Sequence, residues 1–398
     1  MNERSGLPPS VILFASLFAA QASLLVVSPI LPQVAKEFGV STATAAQMRS
    51  VSGITAGIVA LILAARGDRY RLTRLLTAGL TLLGAGALVS AATPSFFVLM
   101  AAQFVTGLGL ALVLSGGLAA SEAWAAAGES TRLLSWALIG QPMAWIVGQP
   151  LVGLVAGSNW RWAWIAVPFT SSAVALGTVV ARDRTIPVGG RECDPMGLWK
   201  LSGVKGWAVG ELLAFAAWAG TLVYAGAFFI TTYGVSVGVT GAILGLIAAA
   251  YLPGNFLGRR SLRAGPTVVL LASSTGAAVT VAVLGSIRPG LVFSTIVFSV
   301  LSFFAAGRTI AGAALGLTLG QGRRLAAMSV RTAMLQFGYL LGTLLGGAVL
   351  SQWGYAGVGC AFAVLFAAAA ALRIPHLLGG GGVRDGGAIP LRRERIRG

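Results

Sequence analysis

Apolar runs of about 20 residues recur along the whole chain, and this pattern constrains the fold more than any other feature. A helix of that length crosses about 30 Å of hydrocarbon. The runs do not alternate apolar and polar residues, as the strands of a membrane barrel do. Only 10% of the residues are charged, against about 25% in a soluble domain. The sequence therefore predicts an all-α polytopic membrane protein.

Twelve spans are predicted, each to within a few residues. They cover residues 10–33, 46–65, 74–93, 97–120, 133–156, 160–181, 207–231, 237–257, 266–286, 291–316, 327–351 and 354–373. Most of the 28 Lys and Arg residues fall on one side of these spans, whereas Lys36, Arg49, Arg161 and Arg288 lie toward the other. Because basic loops stay in the cytoplasm, we expect both termini to be cytoplasmic, with the chain in the inner (plasma) membrane.

The chain reads as two six-helix halves. The predicted segments are residues 1–181, a cytoplasmic linker at 182–206, a second half at 207–375 and a disordered basic tail at 376–398. Similar features recur about half a chain length apart. The pairs are Phe38-Gly39-Val40-Ser41 with Tyr233-Gly234-Val235-Ser236, Gly148 with Gly342, Gly153 with Gly347, and Trp160 with Trp353. Parallel six-helix repeats are typical of one large transporter architecture.

The loop between spans two and three carries the most specific motif. Residues 64–74 read AARGDRYRLTR, close to the pattern G-x-L-a-D-R-x-G-R-R, and residues 159–164 read NWRWAW. On these motifs the sequence resembles the major facilitator superfamily over essentially its whole length. The resemblance implies the fold of that family and alternating-access transport of a small molecule. It also implies a conformational latch in which Asp68 pairs with arginines such as Arg69 and Arg74 in one state and releases them in another.

Span five carries a glycine-proline motif made of Gly140, Gly148, Pro150 and Gly153. It resembles the G-x-x-x-G-P-x-x-G-G motif of the drug-efflux branches, although Gln149 is inserted and the final paired glycine is missing. Span eleven has a ladder of small residues at Gly338, Gly342, Gly346 and Gly347, which favours close helix packing. The arginine that efflux members usually carry in span four is Gln103 here, so their proton-coupling scheme does not transfer directly.

Ionisable residues inside spans are costly and are functional candidates by default. Glu211 and Glu122 are the candidates for proton coupling, with an interfacial position as the alternative for both. Arg49 and Arg308 are the candidate cations, with a structural role as the alternative. The remaining predicted cavity residues are amides and aromatics, which suit a small neutral or weakly charged ligand. They are Gln21, Gln103, Gln141, Trp145, Gln149, Trp218, Tyr224, Asn255, Gln336 and Tyr339.

No nucleotide-binding loop, H-E-x-x-H motif or Cys/His cluster occurs, so the sequence predicts no enzyme activity, cofactor or metal. The basic residues form short clusters between spans, which disfavours nucleic acid binding. The expected partners are a small-molecule substrate, protons and the lipid bilayer, and a monomer is expected. The leading hypothesis is proton-coupled efflux of a small organic compound. The alternatives are uptake or facilitated transport of a small anion through Arg49 and Arg308, and a non-transporting receptor or scaffold.

Overall fold

A computed structural model describes residues 7–66, 71–124, 130–181, 195–320 and 324–374, and the regular structure in these ranges is helical. The helices are α1 (Pro9–Leu25), α2 (Val27–Glu37), α3 (Thr42–Arg66), α4 (Leu72–Ala92), α5 (Phe96–Ala123), α6 (Ser130–Ala156), α7 (Trp160–Trp164), α8 (Thr170–Val180), α9 (Pro195–Leu198), α10 (Val204–Tyr233), α11 (Val237–Ala249), α12 (Tyr251–Ser261), α13 (Pro266–Ser286), α14 (Leu291–Leu319) and α15 (Arg324–Ala371).

Eleven helical segments of the described ranges are long and apolar enough to cross a membrane. Three of them join shorter helices. One span is α1 with α2, one is α7 and α8 joined by a π-helical turn at Ile165–Phe169, and one is α11 with α12. Large apolar side chains such as Leu154 and Val292 point outward, at 74% and 71% exposure. Outward apolar side chains of this kind fit a lipid-facing surface.

The last segment, α15, holds two spans. Its 48 residues contain Gly354, whose φ of 62° and ψ of −162° lie outside helical values. Gly346 and Phe362 lie equally far from Gly354 in sequence on opposite sides, and a Cβ built on Gly346 would lie 3.0 Å from the Phe362 ring. The chain therefore folds back at Gly354, and the twelve-span prediction is confirmed in this form.

The two halves repeat a turn in detail. Gly39 follows the first span at a φ of 63° and Gly234 follows α10 at a φ of 65°, a left-handed conformation that glycine adopts without steric cost. Ser41 then accepts a hydrogen bond from the Thr44 amide at 3.0 Å, and Ser236 accepts one from the Val239 amide at 3.3 Å. Both serines act as N-terminal caps of the next helix.

The predicted all-α fold with two six-helix halves is confirmed. The domain boundaries stay a prediction, because residues 182–194 of the expected linker and residues 375–398, which include the predicted tail, lie outside the described ranges. Below, the side of the bundle where α1 begins is called the terminal side and the opposite one the far side. The predicted assignment of the terminal side to the cytoplasm rests on the basic residues alone.

Candidate functional site

Glycines of α6 and α11 bring the two halves together on the far side. A Cβ built on Gly153 would lie 2.7 Å from the Gly241 Cα and 2.8 Å from the Val237 carbonyl oxygen. One turn away, a Cβ on Gly245 would lie 2.7 Å from the Pro150 ring. Two residues of the predicted glycine-proline motif therefore sit at the contact between halves, where a larger side chain would push the helices apart.

The helices α3 and α15 meet in the same way, and they are the counterparts of α11 and α6 in the opposite halves. A Cβ on Gly347 would lie 3.2 Å from the Ala43 Cβ, and one on Gly53 would lie 3.0 Å from the Gln336 carbonyl oxygen. Toward the terminal side, a Cβ on Gly57 would lie 2.7 Å from the Phe337 ring. The other motif glycines pack within halves, where Gly148 faces Leu25, Gly140 faces Phe14 and Gly342 faces Ala216.

A third contact joins α2 to α10. The Ser28 hydroxyl donates to the Leu222 carbonyl at 2.7 Å and accepts from the Gly226 amide at 3.0 Å. Gly226 lies so close to Ser28 and Pro29 that no Cβ would fit. These three interfaces occupy the far side and the middle of the bundle, so the described conformation is closed on the far side.

Amides and aromatics lie where the halves face each other. The Trp145 indole donates to the Gln21 side chain at 3.1 Å, and Trp145 packs against the apolar clusters of both halves. The Gln149 amide donates to the Leu25 carbonyl at 3.1 Å. The side-chain oxygens of Gln149 and Gln336 are buried without a hydrogen-bond donor among the described residues. The contact between the halves therefore contains buried acceptors that no described residue satisfies.

Arg49 is a buried cation at the same interface. Its side chain is 1% exposed, and its guanidinium carbon lies 4.1 Å from the centre of the Tyr339 ring, in the other half. Nη1 donates to the Ser52 hydroxyl at 2.7 Å. The Tyr339 hydroxyl is also a close neighbour, but Nε and Nη2 have no acceptor in hydrogen-bonding geometry within the described part of the chain. Arg49 therefore retains two free donors.

A buried ion cluster in the second half, here called the triad, consists of Glu211, Arg308 and Arg331. The Glu211 side chain is 0% exposed. Its Oε1 lies 2.9 Å from Nη1 of Arg308, a close charge contact that is poorly aligned as a hydrogen bond, and its Oε2 accepts from Nε of Arg331 at 2.8 Å. The arginines also donate to the Gly210 and Thr309 carbonyls, at 2.7 and 3.0 Å.

The triad joins three spans, because Glu211 lies on α10, Arg308 on α14 and Arg331 on α15. A Cβ on Gly312 would collide with the Glu211 carboxylate, so this glycine makes room for the acid. Arg373 lies beyond the last span and donates to the Gly203 carbonyl at 3.3 Å. Burial lowers the pKa of Arg373 to about 10, an effect that the charge of Glu211 partly offsets.

Three residues near these two sites were missed by the sequence reasoning. Arg331 was counted with the basic residues of the terminal side, although its position inside a predicted span was a signal. Tyr251 was not considered. It lies between Trp218, on which its ring stacks at 6.5 Å, and the triad, whose charges act on it. Arg373 was counted with the basic residues of the terminal side, at the end of the last predicted span, and no pattern in the sequence points to its burial.

Other predicted residues are placed in contacts between helices. Gln103 donates to the Ser90 hydroxyl at 3.1 Å and so ties α5 to α4. The Tyr224 hydroxyl donates to the Thr343 carbonyl at 2.8 Å. Gln141 and Asn255 are half-buried. Their roles as cavity residues stay predictions, as does a central cavity. One apolar pocket beside Phe298 includes Tyr224 in its lining, and another lies beside Phe303.

The predicted latch falls mostly outside the described residues. Asp68 and Arg69 are not described, and neither is the side chain of Glu122, whose backbone lies in α5. Arg74 lies in the first turn of α4 and is exposed. The latch and the role of Glu122 therefore stay predictions.

An exposed ion pair connects helix ends on the far side of the first half. Arg161 of the predicted W-R-W segment contacts the Glu37 carboxylate at 2.5 Å and donates to the Ala91 and Thr93 carbonyls at 3.1 and 2.6 Å. The Trp160 indole donates to the same carboxylate at 2.5 Å. The segment thus connects the ends of α2 and α4.

Comparison with known proteins identifies the family. The profile of the Major Facilitator Superfamily matches residues 13–306. The uncharacterized MFS-type transporter YwfA of Bacillus subtilis (strain 168) is 28% identical over 164 residues, which is 39% of this chain and 38% of YwfA. The match thus spans about two fifths of that relative.

Two solved structures share the fold over nearly the whole chain. The crystal structure of a mutant nucleoside transporter NupG covers 93% of this chain and 98% of its own, at a TM-score of 0.72 and 16% identity. That of a D-xylose-proton symporter covers 92% and 97%, at a TM-score of 0.71 and 15% identity. At these identities the likeness concerns the fold. Together with the family profile, it shows that this chain is a membrane transporter, not an enzyme, and that it belongs to the major facilitator superfamily.

Proposed function

We propose that the chain moves a small organic compound across the membrane by alternating access, and that the described conformation is the one closed on the far side. The observation that supports this most is the set of three contacts between halves, α2 with α10, α3 with α15 and α6 with α11. At the α6–α11 contact, glycines such as Gly153 and Gly241 bring the two backbones together, whereas the α2–α10 contact also contains the hydrogen bonds of Ser28. Separation of α6 from α11 breaks no such buried hydrogen bond among the described residues.

We further propose that transport is efflux driven by proton exchange. The glycine-proline motif, which resembles that of efflux branches, lies at the α6–α11 interface. Glu211 is the candidate proton carrier, because the other described acid, Glu37, lies at a span end with its own partners. Protonation of Glu211 would remove its ion pairs with Arg308 and Arg331, and so would loosen the contacts among α10, α14 and α15.

Transport by the purified full-length chain in proteoliposomes tests this function. A panel of small organic compounds, neutral and charged, is added with and without a pH gradient, while a trapped dye reports proton flux. We expect at least one compound to cross the membrane in exchange for protons, which move in the opposite direction. If exchange occurs but ignores the pH gradient, proton coupling is wrong and alternating access stands. If no compound exchanges, the transport proposal is wrong.

The role of Glu211 needs a variant that keeps the charge balance. Glu211→Gln paired with Arg308→Gln removes one acid and one base together, and Glu37→Gln serves as a matched control for the loss of an acid. We expect the double variant to exchange substrate without proton flux, and the control to keep both. Proton flux that persists in a folded double variant would exclude Glu211 as the carrier.

Asp68 is proposed to act as a latch with Arg69 and Arg74 on the terminal side. Asp68→Asn removes a charge but little volume, so we expect slower transport with an unchanged yield of folded protein. Arg263→Gln, a neutralised charge at an exposed position of the same side, is the control. Transport at the wild-type rate in Asp68→Asn would remove the latch from the mechanism.

A further inference from the structure

Arg49 is a buried arginine with no carboxylate partner in the described part of the chain. Burial of an ion is costly unless another charge and hydrogen bonds compensate it. Ser52 and the Tyr339 ring supply part of this compensation, but neither carries a negative charge. A cation in such a place attracts an anion from outside the protein.

Neither of the two acids whose side chains the structure describes is free to neutralise Arg49. Glu37 is held by Trp160 and Arg161 at the far end of α2. Glu211 is held in the triad, and Arg331 of that triad is separated from Tyr339 by about 12 Å along α15, at a helical rise of about 1.5 Å per residue. Glu122 lies about 22 Å along α5 from Gly107, by the same rise, and it is Gly107 that touches Ser52.

The free donors of Arg49 form one edge of the guanidinium group. Nη1 is occupied by Ser52, whose backbone is pinned because a Cβ on Gly107 would lie 2.6 Å from the Ser52 carbonyl oxygen. Nε and Nη2 remain without acceptors. Two parallel N–H groups on this edge match the two oxygens of a carboxylate, the bidentate pairing that arginine makes most specifically.

The surroundings of this edge are aromatic and amide groups. Tyr339 covers one face of the guanidinium, and its ring meets the Phe215 ring edge-on at 5.7 Å. Gln336, one turn before Tyr339 on α15, is buried with a free side-chain oxygen. One pair of N–H donors beside aromatic rings suits a ligand that has a single carboxylate and is otherwise apolar.

We propose that Arg49 binds the carboxylate of the transported compound, so that the substrate class is small organic monocarboxylates. This assignment rests on the proposed function and names its substrate. Because Arg49 belongs to the first half and Tyr339 to the second, a carboxylate on the Nε–Nη2 edge binds at a contact between halves. Its arrival and departure are thereby tied to the opening of that contact.

The test uses a matched pair of probes, benzoate and benzamide, which share a ring and differ in charge. Full-length protein is assayed for thermal stabilisation by each probe and for exchange of radiolabelled probe in proteoliposomes. We expect wild-type protein to prefer benzoate. In Arg49→Gln, benzoate binding should weaken by about 10- to 150-fold, the usual effect of losing a hydrogen bond to a charged group, while any exchange of neutral compounds persists. Arg263→Gln is the control for net charge and should behave as wild type.

Further measurements keep the inference open to refutation. Arg49→Lys retains the charge without the fork, so it should lose most of the preference for benzoate; an unchanged preference would exclude the bidentate contact. Equal responses of wild-type protein to both probes would overturn the proposal without any variant, as would chloride binding that displaces benzoate and is itself transported in its place. Exchange of neutral compounds without carboxylate preference refutes only this inference, whereas no exchange of any compound refutes the proposed function.

Discussion

Two buried arginine sites, one in each half, differ in how the charge of the arginine is compensated. Arg49 of α3 contacts a hydroxyl and an aromatic ring and keeps two donors free. Arg308 of α14 faces Glu211, which also holds Arg331. The first site has no counter-ion among the described residues and lies between the halves, whereas the second is internally paired and lies within one half. Burial alone therefore does not identify a ligand-binding cation, whereas N–H donors without an acceptor do.

The largest effect is expected from breaking the triad. Glu211→Gln leaves Arg308 and Arg331 buried without a counter-ion, and the removal of one partner from a buried ion pair costs about 3–5 kcal/mol. We expect a marked fall of the unfolding temperature in detergent. Adding Arg308→Met should recover much of the loss, since one uncompensated charge is removed. A single variant as stable as wild type would show that the triad does not hold the second half together.

A smaller effect is expected at the contact between halves. Gly153→Val places side-chain atoms against Gly241 and Val237, where a Cβ alone already lies 2.7 Å from the Gly241 Cα. Overpacking of this kind costs about 1–3 kcal/mol. Because separation of the two halves would remove this steric strain, the variant favours the separated state. We expect the far side to open, which labelling of a cysteine placed at Ser28 would detect as faster modification.

The control for this variant is Gly177→Val, at a helical glycine with open space around its Cβ position. It should leave labelling at position 28 unchanged. If Gly153→Val also leaves labelling unchanged, the α6–α11 contact does not control closure of the far side.

The opposite sign is expected at Arg49. Arg49→Leu removes a buried cation that lacks a counter-ion, so the gain from deleting an uncompensated charge competes with the loss of the Ser52 and Tyr339 contacts. A cation over an aromatic ring contributes about 2 kcal/mol when desolvated, whereas an uncompensated buried ion costs several kcal/mol, so we expect a small net stabilisation. The unfolding temperature should rise while benzoate binding is lost. A strong destabilisation would show that Arg49, like Arg308, is a structural residue.

The sequence predicted the fold well because span length and composition depend on the bilayer, which acts on each segment separately. The turn at Gly39 and its copy at Gly234 were also predictable, because they depend on the local sequence. The site was less predictable, because it depends on which side chains of different spans meet. Glu211, Arg49 and Arg308 were all singled out, but the pairing of Glu211 with Arg331, and the contact of Arg49 with Tyr339, arise from helix packing. A single sequence does not encode such pairings as a pattern.

The smallest effect is expected at the exposed ion pair, which completes the comparison with the buried sites. The side chains of Arg161 and Glu37 are 26% and 41% exposed, and exposed pairs contribute about 0–1 kcal/mol. In Glu37→Gln, Arg161 keeps the Ala91 and Thr93 carbonyls, and the new amide oxygen can still accept from Trp160. We therefore expect a change of unfolding temperature far smaller than in Glu211→Gln, although both variants replace an acid with its amide. Raising the salt concentration should abolish the difference between Glu37→Gln and wild type, because solvent ions screen exposed charges, and should leave the deficit of Glu211→Gln in place. Equal losses of unfolding temperature in the two variants would mean that burial does not determine how much these ion pairs contribute to stability.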